Sequence, residues 1–200
     1  MANYTAFIKY PLFIIIILSA CAHDAIGAEV NDGFHAVKNI SSRYFDISVE
    51  NGVALQTLAM EISVPPSIKA IIKQPAPFSS SYTLQDQLDT LLLAVLEIMD
   101  IRLKNFRCKI KICKDSMSLS NVAETLFGRQ IMAGGFYVVS LETLYVDAEN
   151  VTINILGHEL SHAVQTQYFV VPPPEKIQEV LAGYVEFQLR KYTNTLVEGR

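Results

Sequence analysis

The stretch Gly157–His162, with the sequence GHELSH, places two histidines four residues apart and a glutamate directly after the first of them. On a helix these histidines lie about 40° apart around the axis, so both imidazoles can bind one metal ion. Glu159 is displaced from His158 by about 100° and can accept a proton from a water at the metal. The H-E-x-x-H pattern therefore predicts a site for one Zn²⁺, with His158 and His162 as ligands and Glu159 as the general base of a hydrolysis.

The residues around this motif have the pattern of a helix from Asn150 to Phe169. Apolar residues recur at a spacing of three or four, and no proline interrupts the segment. We expect Asp147 or Asn150 to cap the start of this helix. Gly157 has no side chain, so we expect it to leave space near the metal.

A catalytic zinc ion has three protein ligands and one open position, so the two histidines need a further partner. After the prolines at 172–174, the segment Glu175–Tyr192 again has helical periodicity. It carries three candidate carboxylates, Glu175, Glu179 and Glu186. Glu179 and Glu186 are seven residues apart and share a face of the helix, so periodicity does not distinguish between them.

The segment Glu179–Phe187, with the sequence EVLAGYVEF, resembles the E-G-x-A-x-Y-V-E-[FY] segment of the gluzincin zinc peptidases, the aminopeptidase branch in particular. In that family the first glutamate is the third zinc ligand and follows the second histidine by a little under twenty residues. Glu179 follows His162 by seventeen positions. The resemblance implies that Glu179 is the third ligand, that Glu186 lies outside the ligand set, and that peptides or proteins are the substrates.

The sequence before the motif predicts elements in the order of the N-terminal part of a gluzincin catalytic domain. They are a strand at Phe45–Val49, a helix at Thr83–Asn105, a strand at Phe106–Lys114, a helix at Asn121–Phe127 with Asn121 and Glu124 as a capping box, and paired strands at Ile131–Leu141 and Thr143–Val146. The resemblance covers residues 43–192, with its specific part in the last forty. It implies an α+β protein of zincin-like fold, in which a small mixed sheet packs on the H-E-x-x-H helix and a glutamate helix follows.

One departure from the family concerns the substrate. Gly134 and Gly135 are followed by Phe136 and Tyr137, where the aminopeptidases carry a Met-Glu pair whose glutamate holds the amino terminus of the substrate. This difference favours endopeptidase over aminopeptidase action. An extended substrate could pair with the strand that carries these residues.

A second departure concerns the oxyanion, which needs a donor while the carbonyl is attacked. Related enzymes supply a Tyr or His from a region beyond the glutamate helix, and we find no counterpart before Arg200. Tyr137 and Tyr184 are the candidates for oxyanion or substrate contacts in this chain. The alternative hypothesis is a catalytically inactive, zinc-stabilised envelope binding protein on a peptidase fold, although the intact Glu159 argues against it.

Residues 1–20 have the pattern of a signal peptide, because Lys9 precedes an apolar run, Leu12–Leu18, that is too short to span a membrane. The sequence LSAC at residues 18–21 resembles a bacterial lipobox, which implies cleavage before Cys21 and lipidation of its thiol. Ordinary signal cleavage is the alternative. We expect an exported protein of the periplasm or cell envelope, lipid-anchored at Cys21 or otherwise secreted, with a single domain over residues 29–200.

Charge and cysteine content narrow the remaining alternatives. The net charge of −4 offers no basic surface for nucleic acid, so nucleic acid is not an expected partner. Val64–Tyr82 is rich in proline and serine and is predicted to be a connection or lid. Cys108 and Cys113 form an even pair, but a strand between them would separate their α-carbons by about 16 Å. We therefore expect no disulfide bond between them.

Overall fold

The computed structural model describes residues 31–73 and 83–195. These residues form an α+β structure with a five-stranded mixed sheet and, within the described ranges, six α-helices. None of these helices is long and apolar enough to cross a membrane. The predicted signal peptide, Cys21 and residues 74–82 of the proline-rich segment lie outside the described residues.

The sheet has the order β1-β2-β3-β5-β4, with parallel pairs in its centre and antiparallel pairs at both sides. Its strands are β1 (Lys38–Ser41), β2 (Phe45–Val49), β3 (Cys108–Cys113), β4 (Gly135–Val138) and β5 (Thr143–Asp147). Parallel neighbours need a crossover connection, which helices supply between β2 and β3 and between β3 and the β4–β5 hairpin. Strand β4 ends the sheet in the described part of the chain.

The helices fall into three groups along the chain. Those between β2 and β3 are α1 (Leu55–Glu61), α2 (Pro66–Lys69) and α3 (Leu84–Met99); α4 (Ser116–Phe127) follows β3; and α5 (Ile153–Tyr168) and α6 (Glu175–Tyr192) follow the sheet. Helices α3 and α5 contact each other, and α6 packs on α5. The predicted strand at Phe45–Val49 and the predicted helix at Glu175–Tyr192 are confirmed to the residue.

The alternation along β3 separates two apolar clusters. Cys108, Ile110 and Ile112 belong to the main core, together with residues of α3 and α5, whereas Cys113 belongs to a second cluster with residues of α4. The two cysteines therefore lie at opposite ends of the strand and on opposite faces of the sheet. Both are free, in agreement with the strand interpretation. Burial raises the pKa of the Cys108 thiol to about 12 and also raises that of Cys113, so both thiols stay protonated and act as packing residues.

Several predicted helix boundaries are wrong. One helix begins at a side-chain cap that was not predicted, and another ends at a residue in a left-handed conformation. Helix α4 begins at Ser116 and not at Asn121, since the Asp115 side chain accepts a hydrogen bond from the Ser118 N–H at 2.8 Å. Helix α3 ends at Met99, well before Asn105, because Asp100 takes a left-handed conformation with φ of 53°.

The start of α5 was also predicted wrongly. Thr152 caps it by accepting a hydrogen bond from the Ile155 N–H at 3.2 Å. Asp147 is fully buried and instead accepts hydrogen bonds from Ser116 Oγ at 2.5 Å and Asn150 Nδ2 at 2.8 Å. Asp147 and Asn150 therefore do not cap α5. Their hydrogen bonds connect the segment before α5 to Ser116 at the start of α4.

Helix α5 is covered on both sides, by the sheet and by α6, and twelve of its sixteen residues are buried. The approach of α6 is closest at Gly157. A Cβ atom at this position would lie 2.0 Å from Leu189 Cδ1 and 3.7 Å from Val185 Cγ1. The expectation that Gly157 leaves space near the metal is therefore wrong, because Leu189 of α6 occupies the space that a side chain at Gly157 would take.

We predict that Gly157→Ala lowers the free energy of unfolding by about 1–3 kcal/mol, the usual cost of overpacking a core. Urea unfolding in the presence of a chelator measures this without a contribution from bound metal. Gly183→Ala is the matched control, because no described atom lies within 4 Å of a Cβ at that position of α6. The control should be neutral or stabilising by up to about 1 kcal/mol. Equal stability of Gly157→Ala and the unmodified chain would contradict the prediction.

Candidate metal centre

Helix α5 brings the two histidines of the motif together on the face that meets α6. His158 and His162 are 4% and 2% exposed, and their ring centroids are 5.1 Å apart. Glu159 is 3% exposed. Buried imidazoles and carboxylates are uncommon without a specific partner. The side chains that α6 places opposite them therefore determine whether the motif can bind a metal ion.

Helix α6 supplies Glu179 opposite the two histidines. Its Oε2 lies 3.6 Å from His158 Nε2, and its Oε1 lies 3.6 Å from His162 Nε2. One ligand atom from each of the three residues lies within 4.8 Å of the others. A tetrahedral zinc ion with bonds of 2.0–2.1 Å separates its ligand atoms by about 3.3 Å, so this spacing fits zinc after a small contraction. The three predicted ligands therefore converge.

Several polar atoms of this cluster are buried without a hydrogen-bond partner among the described residues. They are both ring nitrogens of His162, Oε1 of Glu179 and Oε2 of Glu159. An unsatisfied buried polar group costs about 1–3 kcal/mol, so several at one place are unusual. A cation between the ligands would satisfy the lone pairs of His162 and Glu179. The donor set of two imidazoles and one carboxylate is one that zinc accepts.

Glu186 lies behind His158 and outside the ligand set. Its Oε2 is 3.3 Å from His158 Nδ1, on the other side of the ring from Glu179. Arg190 donates to Glu186 Oε1 from Nε at 3.0 Å and from Nη2 at 2.7 Å. The hydrogen bond with His158 is the main cause that lowers the pKa of Glu186, and Arg190 adds to it. Such a carboxylate fixes the orientation of an imidazole that binds metal through its other nitrogen.

The two imidazoles have opposite pKa shifts. Burial acts to lower the pKa of His158, but hydrogen bonds with Glu179 and Glu186 outweigh it and raise the value to about 9. Burial and the charge of His158 lower the pKa of His162 to about 3. The carboxylates therefore hold one positive charge at this place when no metal is bound. A metal ion would replace that proton, since it binds neutral imidazole.

Glu159, the predicted general base, is a buried carboxylate with a raised pKa. Burial is the main cause that raises its pKa to about 7, and the charge of Glu179 acts in the same direction. The charge of His158 and a hydrogen bond from the Tyr137 backbone N–H act to lower it. A base with a pKa near the operating pH transfers protons most effectively. Strand β4 therefore takes part in the site through its backbone.

The two tyrosines proposed for oxyanion or substrate contacts lie in different surroundings. Tyr137 is buried, and its hydroxyl has no hydrogen-bond partner among the described residues. Tyr184 is 49% exposed and lies about 140° around α6 from Glu179. The backbone of Tyr137 is thus in contact with Glu159, and contacts of the two tyrosine hydroxyls with an oxyanion or substrate stay a prediction.

A pair of glutamines that sequence reasoning missed connects α5 to the start of α6. Gln165 is 1% exposed and donates from Nε2 to the backbone oxygen of Gln178 at 3.3 Å. Gln178 in turn donates to the Pro173 oxygen at 2.8 Å. Gln178 directly precedes Glu179, so this chain of hydrogen bonds positions the third ligand. The only signal in the sequence was that Gln165 shares a helix face with both histidines.

Comparisons with protein-family models, with curated proteins and with solved structures gave no match. The interpretation of the site therefore depends on its own geometry and on the sequence motif.

We predict that Glu186→Ala lowers zinc affinity by about 10- to 100-fold, the usual effect of losing the carboxylate behind a histidine ligand. Competition with a chromophoric chelator measures this affinity. Glu175→Ala is the control, because Glu175 is an exposed glutamate in the first turn of the same helix. If both variants bind zinc equally well, Glu186 does not support the site; if Glu175→Ala alone loses zinc, the ligand assignment is wrong.

Proposed function

We propose that this chain is a zinc-dependent peptidase of gluzincin type with a zincin-like fold. The observation that carries the proposal is that one ligand atom from each of His158, His162 and Glu179 lies within 4.8 Å of the others. The ring nitrogens of His162 and Oε1 of Glu179 are also buried without a hydrogen-bond partner in the described residues. Glu159 beside them supports hydrolysis over a purely structural metal site, because a structural site needs no base. The gluzincin and zincin-like parts of the proposal are based on the resemblance of the sequence.

In the proposed reaction, His158, His162 and Glu179 would hold the ion. Zinc would supply Lewis acidity, polarising the peptide carbonyl and lowering the pKa of water towards neutrality. Glu159 accepts a proton from the attacking water as the water oxygen bonds to the carbonyl carbon, and it donates that proton to the leaving amine as the C–N bond breaks, so that Glu159 ends in its starting protonation state. Glu186 keeps the His158 ring in place throughout, since Arg190 holds its other oxygen.

Strand β4 supports endopeptidase action. It ends the sheet in the described part of the chain, and the Tyr137 N–H on its outer side meets Glu159. An extended substrate paired with this edge would run past the general base. Because Phe136 and Tyr137 replace the family's Met-Glu pair, a free amino terminus is not a required part of the substrate. The proposal also includes export of the chain, which is inferred from the sequence alone.

The placement of the tyrosines favours a second candidate function, an inactive zinc-stabilised binding protein of the cell envelope. Tyr184 lies about 140° around α6 from Glu179, and the Tyr137 hydroxyl has no hydrogen-bond partner among the described residues, so no described contact assigns either tyrosine as the oxyanion donor that hydrolysis needs. Cleavage of a broad library of quenched peptides, with and without chelator, separates the two functions. Stoichiometric zinc without any cleavage would support the binding protein.

We predict that His158→Ala loses stoichiometric zinc, because two ligands in place of three leave an incomplete site. Metal analysis of the purified protein measures this directly. His35→Ala is the control, since His35 is exposed and lies outside the cluster. Full zinc occupancy in His158→Ala would overturn the ligand assignment.

We predict that Glu159→Gln keeps zinc but lowers peptide hydrolysis by about 10²- to 10⁴-fold, because the amide cannot accept the proton of the attacking water. Zinc content and cleavage rate are measured on the same preparation. Retention of near-normal activity with zinc bound would exclude Glu159 as the base.

A further inference from the structure

Helix α6 has three distinct faces. Counted at 100° per residue, Gln178, Ala182, Val185 and Leu189 fall within about 60° of one another and are buried against the core. Glu179 and Glu186 lie within about 20° of each other and meet the metal centre. The third face consists of side chains within about 80° of one another, Ile177, Val180, Tyr184 and Phe187. We call it the outer face of α6.

The outer face is apolar and exposed. Ile177, Val180, Tyr184 and Phe187 are 46%, 61%, 49% and 50% exposed. Single exposed apolar residues are ordinary on protein surfaces, but a continuous stripe along one helix marks an interaction site. Val170 and Val171, in the connection directly before α6, are 100% and 81% exposed and add to the apolar surface of this region.

The charged residues of α6 are also separated between its faces. Its glutamates, Glu175, Glu179 and Glu186, lie on the side that is turned away from the outer face. Lys176 and Lys191 are exposed at the two ends of the outer face. The outer face therefore presents apolar side chains between positive charges.

The surface beside Tyr184 continues this pattern. Tyr184 lines a cavity of about 400 Å³ together with Ile71 and Ile98, and the exposed Lys73 lies at its rim. Glu97 also lines this cavity, but Arg102 at 2.8 Å and Lys73 at 3.8 Å neutralise its carboxylate. The segment after α2 and helix α3 thus add apolar surface and a further lysine beside the outer face.

We propose that the outer face of α6 docks on the surface of an anionic lipid bilayer. Aromatic and aliphatic side chains on one face with lysines at its borders are the features of a helix that lies in the membrane interface. The lysines would meet lipid phosphates, and Tyr184 and Phe187 would lie at the level of the headgroups. This inference concerns binding and holds whether or not the chain is a peptidase.

Charge argues against a second copy of this chain as the occupant. In an antiparallel pair of outer faces Lys176 would meet Lys191 of the other copy, and in a parallel pair each lysine would meet its own equivalent. Like charges placed opposite each other destabilise helix pairs. An anionic surface has no such conflict.

A tryptophan reporter tests the proposal, because the chain contains no tryptophan. Phe187→Trp places the fluorophore on the outer face, and Met132→Trp places it at a fully exposed residue elsewhere. Both variants carry Cys21→Ser, so that no lipid is attached at that residue. Vesicles of equal parts phosphatidylcholine and phosphatidylglycerol should shift the Phe187→Trp emission to shorter wavelength, and brominated lipid should quench it. Met132→Trp should not respond.

Substitutions in the Phe187→Trp background test each part of the face. Val180→Asp should weaken vesicle binding by at least about tenfold, whereas Val37→Asp, at a valine of similar exposure in the chain (64% against 61%), should not change it. Lys191→Glu should weaken binding by at least about fivefold, with Lys38→Glu as its control.

Two results would overturn the proposal. One is an unchanged Phe187→Trp emission with anionic vesicles in a folded protein. The other is a concentration-dependent dimer, seen by sedimentation and abolished by Val180→Asp, with no response to vesicles, which would assign the outer face to self-association. Zinc content and unfolding midpoint of every variant establish that the fold is retained.

Discussion

Helices α5 and α6 approach so closely at Gly157 that a Cβ atom there would lie 2.0 Å from Leu189 Cδ1, and the convergence of His158, His162 and Glu179 depends on this contact. Leu189 is ten residues beyond Glu179 on the same helix, a distance of about 15 Å. Near the other end, Gln165 holds the backbone of Gln178, directly before Glu179. A rigid helix fixed at both ends places its side chains with the accuracy that a metal site requires.

The same interface also makes the metal-free protein less stable than its apolar core alone would allow. His162, Glu159 and Glu179 each bury a polar atom without a partner in the described residues, and each such atom opposes folding. The main core between the sheet, α3 and α5 has to offset this cost. Binding of metal would remove part of it, so that metal affinity and stability are linked.

The elements of the site followed from local sequence patterns, whereas its finer arrangement did not. Periodicity predicted α6 to the residue, and the H-E-x-x-H spacing brought His158 and His162 together, because both depend on neighbours within one helix. The pairing of Glu186 with His158 Nδ1 depends on how α6 is rotated against α5, which no local pattern contains. Helix starts were missed where several polar residues could cap, as with Thr152 in place of Asn150. Strand β1 and helices α1 and α2 are short and were not recognised, since their stability comes from packing.

Helix α6 presents one face to the core, one to the histidines of α5 and one, the outer face, to the exterior. Its sequence keeps these three faces separate. Val180 directly follows Glu179, yet their side chains diverge by about 100°, so one contributes to the outer face and the other to the metal centre. Gly183 lies between the two glutamates along the helix, and a Cβ atom there would meet no neighbouring element within 4 Å. Because the helix is continuous from Glu175 to Tyr192, a surface that holds its outer face also restrains Glu179. Docking would therefore fix the orientation of the metal centre relative to the bilayer without any contact between lipid and ligand.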